Sequence, residues 1–370
     1  MVNKKLWAGI FTLSGTIIGA GVLGLPYVFA KSGFLISFSW ILFLGFIMIY
    51  TYLCLGEVQF RTKGTHQLVG YAEKYLGKKG KWLMFFATLF GVYAALIAYL
   101  LGEGQSFSSL FFGNTNFALY FGVGFWIFMT LLSHEGLKGL KKFASLGVIT
   151  IILILIFIIG VYSPEINFIN FLYSDFSNLF FPFGVVLFAL LGFTAIPEVK
   201  RVAIGNEKDF KKMVILGVLI PVVIYILFGF VFLGVLGKNV QEVATLSFGI
   251  PVILFGIFTM MTCYFVLSFA LRDIFVTDLK LSKFPVWFLS SFLPLILYLA
   301  IQIFGLADFV NVLSFGGVIS GGLTGILVLI LSLKAKKKSE LKPIYKMKLN
   351  WWITGLISLV FILGVIFELL

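Results

Sequence analysis

Long apolar runs separated by short polar segments repeat along the whole chain. Each run approaches or exceeds the roughly 18 residues that a helix needs to cross a hydrocarbon core. They predict eleven spans, at Leu6–Ala30, Phe34–Gly56, Lys81–Phe112, Phe117–Ser133, Ala144–Tyr162, Asn178–Val199, Met213–Leu236, Phe248–Val276, Phe284–Phe304, Leu306–Leu333 and Leu349–Leu370. The stretches between them leave no room for a separate soluble domain. The expected fold is an all-α polytopic membrane protein.

The polar segments carry a second pattern. With the N-terminus placed in the cytoplasm, 26 of the 28 basic residues fall on the inner side, and Lys31 and Lys238 alone lie outside. That is the positive-inside distribution, and a missed or extra span would scramble it. The C-terminus then comes out on the external face. His66–Leu76 repeats Leu68, Tyr71, Ala72 and Tyr75 at helical spacing, which predicts a helix lying along the inner surface. Glu242–Phe248 predicts a short outer helix. Lys334–Lys348 reads as a basic inner loop that fixes topology beside anionic lipid.

Composition changes this picture little. Hydrophobic residues are 61%, charged residues 12%, and the mean hydropathy is +1.10. The net charge of +13 does not point to nucleic acid, because the bases fall in short clusters between apolar runs. Met1–Lys5 looks like the charged start of a signal peptide. No small-residue cleavage site follows before the apolar run lengthens, so the first span is read as retained. Cys54 and Cys263 both lie in apolar runs and are read as packing residues; no metal or cofactor is expected. The two histidines, His66 and His134, lie near inner span ends. Without an H-E-x-x-H pair, a Ser-His arrangement or paired aspartates, an enzyme is not expected.

Two spans break the rules of a membrane helix. The first holds Gly15, Gly19, Gly21, Gly24 and Pro26 within twelve residues. Glycine costs about 1 kcal/mol per helical position against alanine, and proline removes a donor and clashes with the preceding turn. Backbone freed in a membrane must be buried in protein or line a polar cavity. The sixth span repeats the feature in Phe188–Glu198, with Gly192, Thr194, Pro197 and Glu198 interrupting an apolar run. Breaks five spans apart enter from opposite faces. They predict two inverted five-helix repeats, residues 1–162 and 163–333, with a basic loop and one added helix over 334–370.

Gly15 to Gly33, GTIIGAGVLGLPYVFAKSG, resembles the first span of amino acid permeases of the amino acid–polyamine–organocation superfamily. It is most similar to the hydroxy and aromatic amino acid permeases, with the amino acid/auxin permeases next. Leu190 to Arg201, LLGFTAIPEVKR, resembles their sixth span. The resemblance implies an amino acid held between the breaks. Its carboxylate would meet the backbone N–H groups of Gly19, Ala20 and Gly21. A half-helix N-terminus carries about half a positive charge and unpaired donors. Its ammonium group would meet carbonyls near Thr16 and Ile17 on span one and near Phe188 and Ala189 on span six. The competing reading is that these glycines permit close helix packing, and for Gly316, Gly317, Gly321 and Gly322 in span ten packing is preferred.

Acids inside the membrane are expensive and are functional candidates. Glu103, within Leu101-Gly102-Glu103-Gly104-Gln105, is either a proton carrier facing the site or an outer interfacial residue. Glu198 is either an inner gate or an interfacial ion pair with Lys200 or Arg201. Asp308 and Asn311 open span ten from the outside. Thr259 and Thr262, three apart on span eight, form a candidate sodium site. In sodium-coupled amino acid/auxin permeases an asparagine occupies the position of Gly15, so a proton is favoured over sodium. Tyr99, Phe193 and Tyr264 are the candidate side-chain pocket. The expectation is a multi-pass cell-membrane symporter of a neutral or aromatic amino acid, proton-coupled and working by alternating access. The alternatives are a sodium-coupled symporter and an amino acid sensor on the same fold.

Overall fold

The computed structural model describes residues 4–19, 21–64, 66–134, 153 and 155–369. Its regular elements are helices, and one isolated antiparallel bridge joins Gly33 and Ser174. The first span is split into α1, Lys4–Ile17, and α2, Gly21–Ser32, with a bend of 61° between them. Then come α3, Phe34–Arg61, α4, Leu68–Phe112, α5, Ala118–His134, and α6, Leu155–Glu165. Span six is again split, into α7, Pro182–Ala189, and α8, Ile196–Val202. It is followed by α9, Phe210–Leu236, and α10, Ile250–Asp273. Next are α11, Lys283–Trp287, α12, Leu293–Phe304, α13, Phe309–Gly316, α14, Leu323–Lys337, and α15, Trp351–Leu369. Wider, π-helical turns at Phe288–Phe292 and Gly317–Gly322 join α11 to α12 and α13 to α14.

Among the described residues, eight helical units are long and apolar enough to cross a membrane, and the bent α1–α2 pair makes a ninth. The shorter apolar helices α5 and α6 coincide with the expected fourth and fifth spans. The expected start of span five at Ala144 lies outside the described residues. In α4, Gly77 has φ 75° and ψ −167°, which divides the amphipathic turns after Leu68 from the membrane-crossing stretch. The left-handed φ suits glycine. Leu68, Tyr71, Ala72 and Tyr75 lie on this helix, as their spacing predicted, and all four are buried.

The bases sort into two ends. Lys5 Nζ donates to the Ile204 carbonyl at 2.7 Å, and Lys200 Nζ to that of Gln59 at 2.6 Å. At the far end Tyr173 donates to the Lys31 carbonyl at 3.0 Å, and Lys238 Nζ lies 3.7 Å from the centre of the Tyr173 ring.

The basic segment Lys334–Lys348 is also docked on protein. Glu57, 2% exposed, accepts from Arg61 Nη2 at 2.6 Å and from the Met347 N–H at 2.7 Å. Tyr345 donates to the Leu53 carbonyl at 2.8 Å, and Lys336 Nζ donates to the Met347 and Leu349 carbonyls. Lys74 pairs with Glu340 at 2.7 Å. A buried carboxylate with an arginine and a backbone donor at the end of α3 holds the loop.

Two packed groups result. In one, α9 lies against α1, α2 and α3, and α7 against α2 and α3. In the other, α4 lies against α5, α10, α13 and α14, and α13 also packs on α7 and α14 on α3. Pro221 leaves the Gly217 carbonyl of α9 without its helical donor. Ser14 Oγ of α1 donates to that oxygen at 3.0 Å, which stitches the two helices together. The broken spans lie where the two groups meet.

Candidate functional site

The breaks press directly on each other. A Cβ on Gly21 would lie 2.5 Å from Ala189 Cα, and one on Gly192 would lie 2.7 Å from Ile17 Cγ1. Each break therefore places a glycine where the other half-helix ends. Pro197 sits in the first turn of α8, where a missing N–H costs nothing.

Half-helix ends leave carbonyls without helical donors, and two buried tyrosines supply them. The Tyr225 hydroxyl on α9 lies 2.8 Å from both the Ile17 and the Ala189 carbonyl oxygens. The Tyr52 hydroxyl on α3 donates to the Leu190 carbonyl at 2.6 Å. Its ring stands edge-on to Phe193, with centroids 4.9 Å apart.

Beside these ends lies a cavity of about 160 Å³. At about 30 Å³ per water molecule, it holds on the order of five waters or one small solute. Thr16, Ile17, Gly19 and Gly21 line it from span one, and Phe188 and Phe193 from span six, with Tyr99 opposite on α4. A Cβ on Gly19 would lie 3.5 Å from the Tyr99 hydroxyl, so that hydroxyl faces the break. Seven of the ten expected substrate residues thus converge on one space. Ala20 lies outside the described residues. Ala189 stands behind the cavity, against Gly21 and Tyr225.

Other candidates sit elsewhere. Tyr264 lines a second cavity of about 580 Å³ between α5, α10 and the α11–α12 unit, 5.2 Å edge-on from Phe125. Thr259 and Thr262 are buried on α10 and do not line the first cavity; Thr262 Oγ1 donates to the Thr259 carbonyl at 2.8 Å. Glu198 pairs with Arg201 at 2.7 Å, both partly exposed at the lysine-rich face. Glu103 is fully buried one helical turn beyond Tyr99. Neither of its oxygens makes a hydrogen bond of good geometry, and the backbone N–H of Met261 faces it. Of the glycines of span ten, Gly316, Gly317 and Gly321 pack on span six, where a Cβ on Gly316 would lie 2.9 Å from the Phe188 ring, and Gly322 packs on α15 at Phe361.

Sequence reasoning missed several wall residues. Gly192 and Thr194 belong to the sixth-span break itself. Thr88, Gly91 and Ala95 share one face of α4 with Tyr99, at spacings of three and four. That stripe of small residues was a readable signal. Ser320 and Thr324 reach the cavity from the other side, and a Cβ on Gly91 would lie 2.9 Å from Ser320 Cβ.

A helical membrane protein with two broken spans meeting at a small, partly open cavity has the layout of a broken-helix permease. Within that class, the chain belongs to the tryptophan/tyrosine permease family, whose model matches residues 2–370. Tyrosine-specific transport system 1 of Haemophilus influenzae is 28% identical over 258 residues, 66% of this chain and 63% of that protein. Glutamine transporter 2 of Aliivibrio fischeri is 27% identical over 251 residues, 64% of this chain and 63% of that protein. Tyrosine-specific transport system 2 of Haemophilus influenzae is 24% identical over 245 residues, 65% of this chain and 60% of that protein. The matches span somewhat less than two thirds of these relatives, which are transporters and not enzymes.

Proposed function

We propose that the protein is a secondary active symporter of the cell membrane, carrying a neutral or aromatic amino acid by alternating access. The carrying observation is the meeting of two broken spans at a cavity of about 160 Å³. Similarity to tyrosine-specific and glutamine transporters supports an amino acid as substrate. The substrate carboxylate binds the N-terminus of α2 at Gly19 to Gly21, where the helix dipole favours an anion. The carbonyls of Ile17 and Ala189 already accept from Tyr225 and that of Phe188 from the Leu191 N–H, so the ammonium group falls mainly to the backbone at Thr16. Tyr99 and Phe193 hold the side chain. Glu103 carries the coupling proton: it is buried, lacks a well-formed hydrogen bond and lies one turn from a wall residue. The lysine distribution supports a cytoplasmic N-terminus. The reciprocal glycine contacts of the breaks support two inverted five-helix halves.

Titration of purified protein with tyrosine, tryptophan and glutamine tests this reading. Saturable binding of one of them, lost in Gly21→Val, is the expected result. Failure to bind any member of a broad amino acid panel overturns it.

A further inference from the structure

Tyr225 stands at a peculiar place. α1 ends at Ile17 and α7 ends at Ala189, so both neighbouring carbonyls belong to half-helix C-termini. Each such end carries roughly half a negative charge. The two oxygens converge on one phenol, 2.8 Å from each, in a fully buried setting. A tyrosine hydroxyl has a single proton to give. It therefore serves two carbonyls with one donor, and both negative helix ends depend on it. In transporters with broken spans, unwound carbonyls and half-helix C-termini are where coupling cations are held.

We propose that the Tyr225 hydroxyl occupies the cation position between the two broken spans, holding their ends together without a metal ion and keeping sodium out. A cation bound by both carbonyls would need the point where the phenol oxygen now sits. The tyrosine belongs to α9, which packs on α1 and α2 and carries the Ser14–Gly217 stitch. The tie thus lies within one packed group and stays made while that group moves. This rests on the proposed carrier function only in naming the coupling ion; the tie itself is a matter of structure. Tyr225 is a positioning residue, because it does not line the cavity.

The test is thermal unfolding of purified Tyr225→Phe in sodium chloride and in choline chloride at equal ionic strength. The variant keeps the ring and removes the proton. In choline it should melt below the wild type by about 2–4 °C, the scale of one lost hydrogen bond. Sodium should recover part of that loss in the variant and leave the wild type unmoved. Tyr225→Asn is the second variant; its shorter side chain leaves room for an ion and offers an amide oxygen. A sodium response in either variant beyond that of the wild type supports the proposal. A response in neither overturns it. The carrier reading fails separately, on a wild type that binds no amino acid.

Discussion

The contact between the breaks makes Gly21→Ala a quantitative probe. The added methyl would lie 2.5 Å from Ala189 Cα, 2.6 Å from its Cβ and 3.0 Å from its nitrogen. Carbon atoms rest at about 3.5–4.0 Å, so α2 and α7 must separate by about 1 Å. The obstacle is backbone, which cannot swing aside as a flexible side chain can. Overpacking of this kind costs about 1–3 kcal/mol of stability. The same shift draws the first N–H groups of α2 away from a bound carboxylate. Loss of one hydrogen bond to a charged group is worth about 1.5–3 kcal/mol, which is about 10- to 100-fold in affinity. Gly19→Ala is the internal comparison. Among the described residues its methyl would meet only the Tyr99 hydroxyl, at an ordinary 3.5 Å, so the fold should keep its stability within about 0.5 kcal/mol. Binding titrations and melting curves on both variants measure the contrast. A Gly21→Ala protein that binds and melts like the wild type refutes the argument that this contact sets the site.

Three further outcomes follow from single residues. Glu103→Gln should abolish uptake driven by a pH gradient and spare substrate exchange; unchanged pH dependence in a flux assay would move the proton carrier elsewhere. Glu57→Ala strands the buried Arg61 and the Met347 N–H and should cost about 3–5 kcal/mol, read by thermal unfolding; a loss near zero would mean the loop is not anchored there. Glu242 lies between the spans, where burial, and next the charge of Asp308, push its carboxyl above the ordinary 4.5, although the Val310 and Phe309 N–H groups favour the charged form. The folded protein therefore holds that proton more tightly than the unfolded chain. Its contribution is largest below pH 4.5 and is lost as pH rises through the raised value. Glu242→Gln should flatten that fall in a pH series of melting temperatures, and an unaltered slope would assign the fall to another group.

The breaks were legible because glycine and proline weaken a helix locally. Of the first-span set, though, Gly15 continues α1 and Gly24 and Pro26 continue α2, so the break falls between Ile17 and Gly21. The surface helix beginning at Leu68 was legible through its spacing. The facing of α10 was not, because a helix that is apolar nearly all round carries no amphipathic signal. Tyr264, Thr259 and Thr262 are buried on it, yet none lines the cavity between the breaks. Tyr225 and Tyr52 were illegible for a different reason. Each serves a carbonyl more than 30 residues away in sequence, and among many aromatics nothing local marks them. The docking of the loop through Tyr345 and Met347 was not legible, because its anchor, Glu57, sits just past a predicted span end.

Uptake into proteoliposomes tests the central claim most directly. Labelled tyrosine, tryptophan or glutamine is offered under an imposed pH gradient, with and without sodium, against unlabelled competitors. The account predicts saturable uptake of at least one of them, driven by the proton gradient, competed by its unlabelled form and indifferent to sodium. Flux that never saturates, or no uptake of any amino acid under either gradient, would contradict it.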